Sequence, residues 1–123
     1  MSQFKLHTKH GIILCHAEIQ NRVKSLYIKM ALDTGATYTM VPFEAAAAIG
    51  IDPAKAKKNI EIIMGSGTII APIVSVPSFR AFGYQVKNLE VACHNLPPES
   101  FIEGLLGLNF LKYFNILLKF KSD

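Results

Sequence analysis

Asp33, Thr34 and Gly35 are the consecutive residues of this 123-residue sequence whose types best suit a reaction centre. A carboxylate can take or give a proton. Thr34 adds a hydroxyl that can hydrogen-bond locally, and Gly35 lets another backbone approach closely. Asp33 is one of three aspartates and follows an apolar run, Tyr27 to Leu32. Tight turns use Asp-x-Gly as well, so the tripeptide alone is also a simple turn signal. Two other groups invite chemistry and carry less. Cys15-His16 and Cys93-His94 spell two Cys-His pairs, but zinc ligands within one segment are normally two or more residues apart. Neighbours on a strand point to opposite faces, so each pair offers a common site only one ligand. Gly65-Ser66-Gly67 lacks both the following lysine and the helix N-terminus that a phosphate loop needs. No metal and no cofactor is expected.

The elements that must position Asp33 are mostly strands. Ile12 to Ile19 is apolar and β-branched, and Val23 to Leu32 resumes with alternation after the polar Gln20-Asn21-Arg22; together they predict a hairpin. Tyr38 to Val41 is a short β-like run. Pro42 then suits the opening of a helix over residues 43–49, closed by Gly50, with Ala45 to Ala48 as a close-packing face. Asn59 to Met64 and Thr68 to Val74 predict a second hairpin with Gly65-Ser66-Gly67 at its tip. Pro72 and Pro77 place its return strand at an edge or bend it. Phe79–Phe82, Gln85–Asn88 and Leu89–His94 read as short strands, Asn109–Tyr113 as a short helix, and Asn115–Phe120 as a last strand. The architecture is mainly β, and 123 residues predict a single domain.

With these elements in place, three strings acquire a joint meaning. Ala31-Leu32-Asp33-Thr34-Gly35-Ala36-Thr37 resembles the active-site signature of the aspartic proteases. Leu105-Leu106-Gly107-Leu108-Asn109-Phe110-Leu111 resembles their second signature, two apolar residues and a glycine before a short helix. Between them, Met64-Gly65-Ser66-Gly67-Thr68 sits where that family has its flap. The chain thus resembles the retropepsin-like branch, the single-lobe aspartic proteases, over roughly residues 12 to 120.

That resemblance implies a closed β-barrel with one or two short helices and an active site on the twofold axis of a homodimer. Hydrolysis in this family uses two carboxylates sharing one proton. One Asp33 cannot fill both roles, so two copies must meet. The resemblance assigns Asp33, Thr34 and Gly35 to catalysis, with Thr34 locking the paired loops and the Gly35 carbonyl receiving the substrate backbone. It assigns Ala36, Met64, Gly65, Ser66 and Gly67 to binding an extended polypeptide substrate. Leu32, Met64, Ile70 and Leu106 are candidate pocket residues. The implied activity is aspartic endopeptidase, with a bell-shaped pH profile and an acid-to-near-neutral optimum. A peptide-binding or dimerisation module with little or no hydrolysis is the alternative; the intact Asp33-Thr34-Gly35 favours the enzyme. Retroviral members carry an aspartate and an arginine where this chain has Thr37 and Leu108. Both partners are absent together, so no buried charge is stranded, and the similarity points to a cellular or bacterial relative.

Composition sets the remaining bounds. Half of the residues are apolar and 18% charged, enough for a core. A mean hydropathy of +0.29 is high for so small a chain and is a first hint of oligomerisation. The net charge of +4 is scattered; its densest cluster, Lys55, Lys57 and Lys58, has no aromatic interleaving, so no nucleic-acid partner is expected. The N-terminal Met1-Ser2-Gln3-Phe4-Lys5 has no apolar signal region. Gly104 to Leu118, the most apolar stretch, is interrupted by Asn109, Lys112 and Asn115 and is shorter than the ~20 residues of a spanning helix. The expectation is a cytoplasmic protein with reduced thiols.

Overall fold

The computed structural model describes residues 7–9, 11–65 and 67–116. Its elements in chain order are β1 (His7–Lys9), β2 (Ile12–Asn21), β3 (Lys24–Leu32), β4 (Thr39–Val41), α1 (Phe43–Ala48), a 3-10 turn (Pro53–Lys55), β5 (Lys58–Met64), β6 (Gly67–Ala81), β7 (Tyr84–Cys93), β8 (Gly104–Leu106) and α2 (Leu108–Leu111). All eight strands join one sheet in the order β1-β2-β3-β8-β4-β7-β6-β5, and a further β2–β6 pairing closes it. Six strands therefore form a ring, with β1 and β5 attached outside it. The expected mainly-β closed barrel is what the chain forms, and its short helices number two among the described residues.

Alternation builds the first hairpin: Cys15, Ala17 and Ile19 on β2 face inward, as do Ile28 and Met30 on β3. The two-residue loop Arg22-Val23 joins them, with Arg22 at φ +59°. The core gathers Ile19, Ile28, Val41, Val76, Phe79, Val91, Leu106 and Phe110 around the ring axis. The Phe79 and Phe110 rings lie 5.3 Å apart and fasten α2 to the barrel. In α1, Ala45 and Ala46 are buried while Ala47 and Ala48 are exposed, so half of the alanine run serves close packing. Asn95 accepts from the Phe43 backbone at the helix start (2.9 Å). Gly50, at φ +83°, ends the helix as its position predicts.

Two local readings need correction. The return strand of the second hairpin does not stop at Val74: β6 runs 15 residues, to Ala81. Pro72 precedes the first β6–β7 pair at Ile73, and Pro77 falls at the one skipped step of that register, between Val76↔Leu89 and Ser78↔Lys87. Both prolines thus sit where a ladder donor is dispensable. The residues 85–88 and 89–94 form one strand, β7, through Asn88, which takes a left-handed φ of +54° without ending it. Asn115 and Ile116 are irregular, and the rest of the expected last strand lies outside the described residues.

Candidate active site

Asp33 stands at the end of β3, where β3 runs parallel to β8 in the register Met30↔Gly104, Ala31↔Leu105 and Leu32↔Leu106. The Asp33 backbone N–H donates to the Leu106 carbonyl (2.9 Å), carrying the pairing one residue further. Upstream, Glu103 clamps the same two segments: its carboxylate accepts from the Lys29 N–H (2.8 Å) and its N–H donates to the Lys29 carbonyl (2.7 Å). β8 was not foreseen as a strand. It has only three residues, and all its pairing is to distant segments, β3 and β4.

The turn itself is held by the aspartate. Gly35 N–H donates to Asp33 Oδ1 (2.8 Å), and Ala36 N–H donates to the Asp33 carbonyl (3.2 Å). A Cβ on Gly35 would come within 3.2 Å of that carboxylate oxygen, which explains the small residue. The bond to Gly35 fixes one oxygen and orients the group. Asp33 is partly buried, while Thr34 and Gly35 are exposed.

Residues 36–39 are in turn fastened to the start of α2. Leu108 N–H donates to the Ala36 carbonyl (2.7 Å) and Asn109 N–H to the Thr37 carbonyl (3.1 Å). Thr39, the one buried polar residue among the described residues, receives Gly107 N–H on its hydroxyl (3.1 Å). Its own N–H donates to Asn109 Oδ1 (2.7 Å), while Asn109 Nδ2 donates to the Glu90 carbonyl. One amide side chain thus ties three segments together. Gly107 allows the approach: a Cβ there would lie 2.7 Å from the Tyr38 backbone and 2.8 Å from the Ala36 oxygen. Nothing in the sequence alone assigns Thr39 or Asn109 a positioning role. The available signal was a lone amide inside the apolar string Leu105 to Leu111.

Asp33, Gly35 and Ala36 open onto a cleft of about 560 Å³, which Gly65 and the β5 residues Ile60 to Ile63 also line. The structure therefore brings Ala36 and Gly65 to the same space as Asp33. Gly67 pairs with Met64 at the hairpin's end and does not line that cleft; Ser66 and the Met64 side chain lie outside the described residues. Leu106 is fully buried in the core and is no pocket residue, because alternation along β8 turns its neighbour Leu105 into the cleft. A larger depression of about 660 Å³ lies beyond Tyr38, with Glu90, Asn109 and Lys112 on its walls, and Asp33 is not part of it.

The two thiols are buried in the barrel, whereas His16 is exposed and His94 partly so. Burial pushes the Cys15 thiol up to about 12 and the Cys93 thiol up to about 11. Neither is a thiolate near neutrality. Among the described residues no helix is long and apolar enough to cross a membrane.

Comparison with known proteins agrees with this geometry. Residues 19–113 match the family described as gag-polyprotein putative aspartyl protease. No curated protein matches the chain. Among solved structures, it is similar to a retropepsin-like aspartic protease from Rickettsia conorii, with 25% identity and a TM-score of 0.68 over 96% of this chain and 89% of that one. On the match over residues 19–113, the chain belongs to the gag-polyprotein aspartyl protease family, and its barrel is of the retropepsin-like kind.

Proposed function

We propose that the chain is an aspartic endopeptidase that works as a homodimer, with Asp33 of each copy forming one catalytic pair. The observation that carries the reading is the Asp33 carboxylate at the wall of an open cleft, with one oxygen held by Gly35 N–H. The sequence holds a single Asp-Thr-Gly, so a second carboxylate of the same kind must come from a second copy. The exposed Thr34 beside it is available to bond across the twofold axis.

In the assembled pair, two carboxylates held close share one proton because both cannot ionise at once. The ionised one takes a proton from water as that water attacks the scissile carbonyl. The protonated one donates to the carbonyl oxygen as charge develops there. Collapse of the tetrahedral species, with proton return to the leaving nitrogen, releases acid and amine. The β5–β6 hairpin serves as the flap, and an extended substrate lies beneath it as an added strand, bound through its main chain.

The test compares wild type with Asp33→Asn on a mixed peptide pool between about pH 3 and pH 7. Cleavage by wild type alone, with a bell-shaped profile, supports the pair. Equal cleavage by both proteins removes Asp33 from catalysis. Cleavage by neither, from a stable dimer by mass measurement, points instead to a peptide-binding module.

A further inference from the structure

The β5–β6 hairpin leaves the barrel at a single rung. Ile73 on β6 pairs with Lys58 of β5 on one side and with Ala92 of β7 on the other. From Asn59 to Pro72 the described hairpin residues have no strand partner outside the hairpin. Side chains must therefore seat it, and they act from one face of β5, where Lys58, Ile60 and Ile62 alternate. Ile60 and Ile62 join Tyr38 in packing on Ala71, Ile73 and Ala92. The Lys58 ammonium lies over the Tyr38 ring, 5.9 Å from its centre, and pairs with Glu90 Oε1 at 3.4 Å. The Tyr38 hydroxyl first, and Glu90 second, raise that ammonium above its ordinary pKa. Both supports are fixed from behind. Tyr38 lies between Thr37 and Thr39, whose backbones are bonded to Asn109, and Asn109 Nδ2 also donates to the Glu90 carbonyl. Tyr38 walls both the Asp33 cleft and the larger depression, whereas Lys58 lines neither.

We propose that Lys58 is a positioning residue: bridging Tyr38 and Glu90 at the hinge of the hairpin, it latches the hairpin over the Asp33 cleft. The inference rests on the reading of this cleft as a polypeptide-binding site with the hairpin as its flap. Lys58 does not reach the substrate and acts only through Tyr38 and Glu90. An exposed ion pair and a cation–π contact together shift the ratio of seated to lifted hairpin roughly three- to thirtyfold. The ion-pair share weakens as salt rises. A substrate binds the seated form, so KM rises by the factor by which that population falls. In the bound complex the hairpin is already seated, so kcat is unchanged.

Methyl NMR of isotope-labelled isoleucines reads the latch without catalysis, because the Tyr38 ring shifts the signals of Ile60 and Ile62 beside it. Lys58→Gln removes the charge and keeps most of the reach, while Lys58→Arg keeps both contacts. Lys58→Gln should move both signals toward unstructured positions and leave Ile63, 86% exposed on the opposite face, where it was. It should also raise KM for peptide hydrolysis at constant kcat, and Lys58→Arg should match wild type in every readout. Unmoved Ile60 and Ile62 signals in Lys58→Gln overturn the proposal. So does a fall in kcat at constant KM, or an arginine variant that behaves like the glutamine one. If the wild type cleaves nothing, the same signals still decide: movement then supports the latch and refutes the protease reading. Unmoved signals with an active wild type refute the latch alone, so the two fail separately.

Discussion

Asn109→Ala removes the side chain that ties the loop after Asp33 to both α2 and β7. The substitution deletes two bonds, from Thr39 N–H at 2.7 Å and to the Glu90 carbonyl. Thr39 has no solvent exposure, so its N–H is left without a partner, at a cost of about 1–3 kcal/mol. The second bond, near the surface, adds about 0.5–1.5 kcal/mol. The expected loss is therefore ~2–4 kcal/mol, which for a chain of this size lowers Tm by roughly 6–16 °C. Thermal and urea unfolding by circular dichroism, at one protein concentration because a dimer's Tm depends on it, measures the loss. Asn109→Asp sharpens the test. It keeps an acceptor for Thr39 N–H but turns an oxygen toward the Glu90 carbonyl, so it recovers part of the loss and not all. Peptidase activity should fall along with stability, since the turn bearing Asp33 is hung from the same contact. A variant within about 0.5 kcal/mol of wild type, or an aspartate variant equal to it, would refute the reasoning.

Further expectations follow from the same contacts. Gly107→Ala forces its new methyl against the Tyr38 and Ala36 backbones and should cost at least ~2 kcal/mol by urea titration; a wild-type midpoint would show that the loops separate freely. Cys15 and Cys93 should resist a thiol reagent at about pH 8 in the native protein and react quickly in urea, and fast native labelling would contradict their burial. Both thiols are held above their ordinary value of 9.0 by desolvation, to about 12 and about 11. The folded chain then keeps protons that the unfolded chain releases, so stability is unaffected below about pH 9 and falls from there towards pH 12. Urea midpoints across that window, with Cys15→Ala flattening the slope, check the sign.

The sequence reveals most where the signal is local. β2 announces itself by its β-branched, apolar run and β3 by alternation, α1 by Pro42 and Gly50, and the β5–β6 hairpin by Gly65 and Gly67. β6 misleads because Pro72 and Pro77 look like strand ends. They are tolerated only because β6 changes partners along its length, which no short window can show. The Phe82-Gly83 loop joining β6 to β7 has both residues at positive φ, +53° and +77°, and phenylalanine is not a residue that advertises such a turn. Asp33 and its turn were legible in Asp-Thr-Gly. The contacts that hold that turn were not, because Thr39 and Asn109 stand 70 positions apart and neither is unusual until the barrel closes.

That closure orders events in time. Local hairpins such as β2–β3 can form within microseconds, but the parallel β3–β8 ladder must bring Met30 to Gly104, and loop entropy opposes such distant pairing until late. On a ribosome the Asp33 turn therefore waits for residues 104–111 to emerge before it acquires a fixed shape. A nascent or truncated chain can display its carboxylate for some time with nothing behind it, so any hydrolytic potential is withheld until synthesis has passed the second signature.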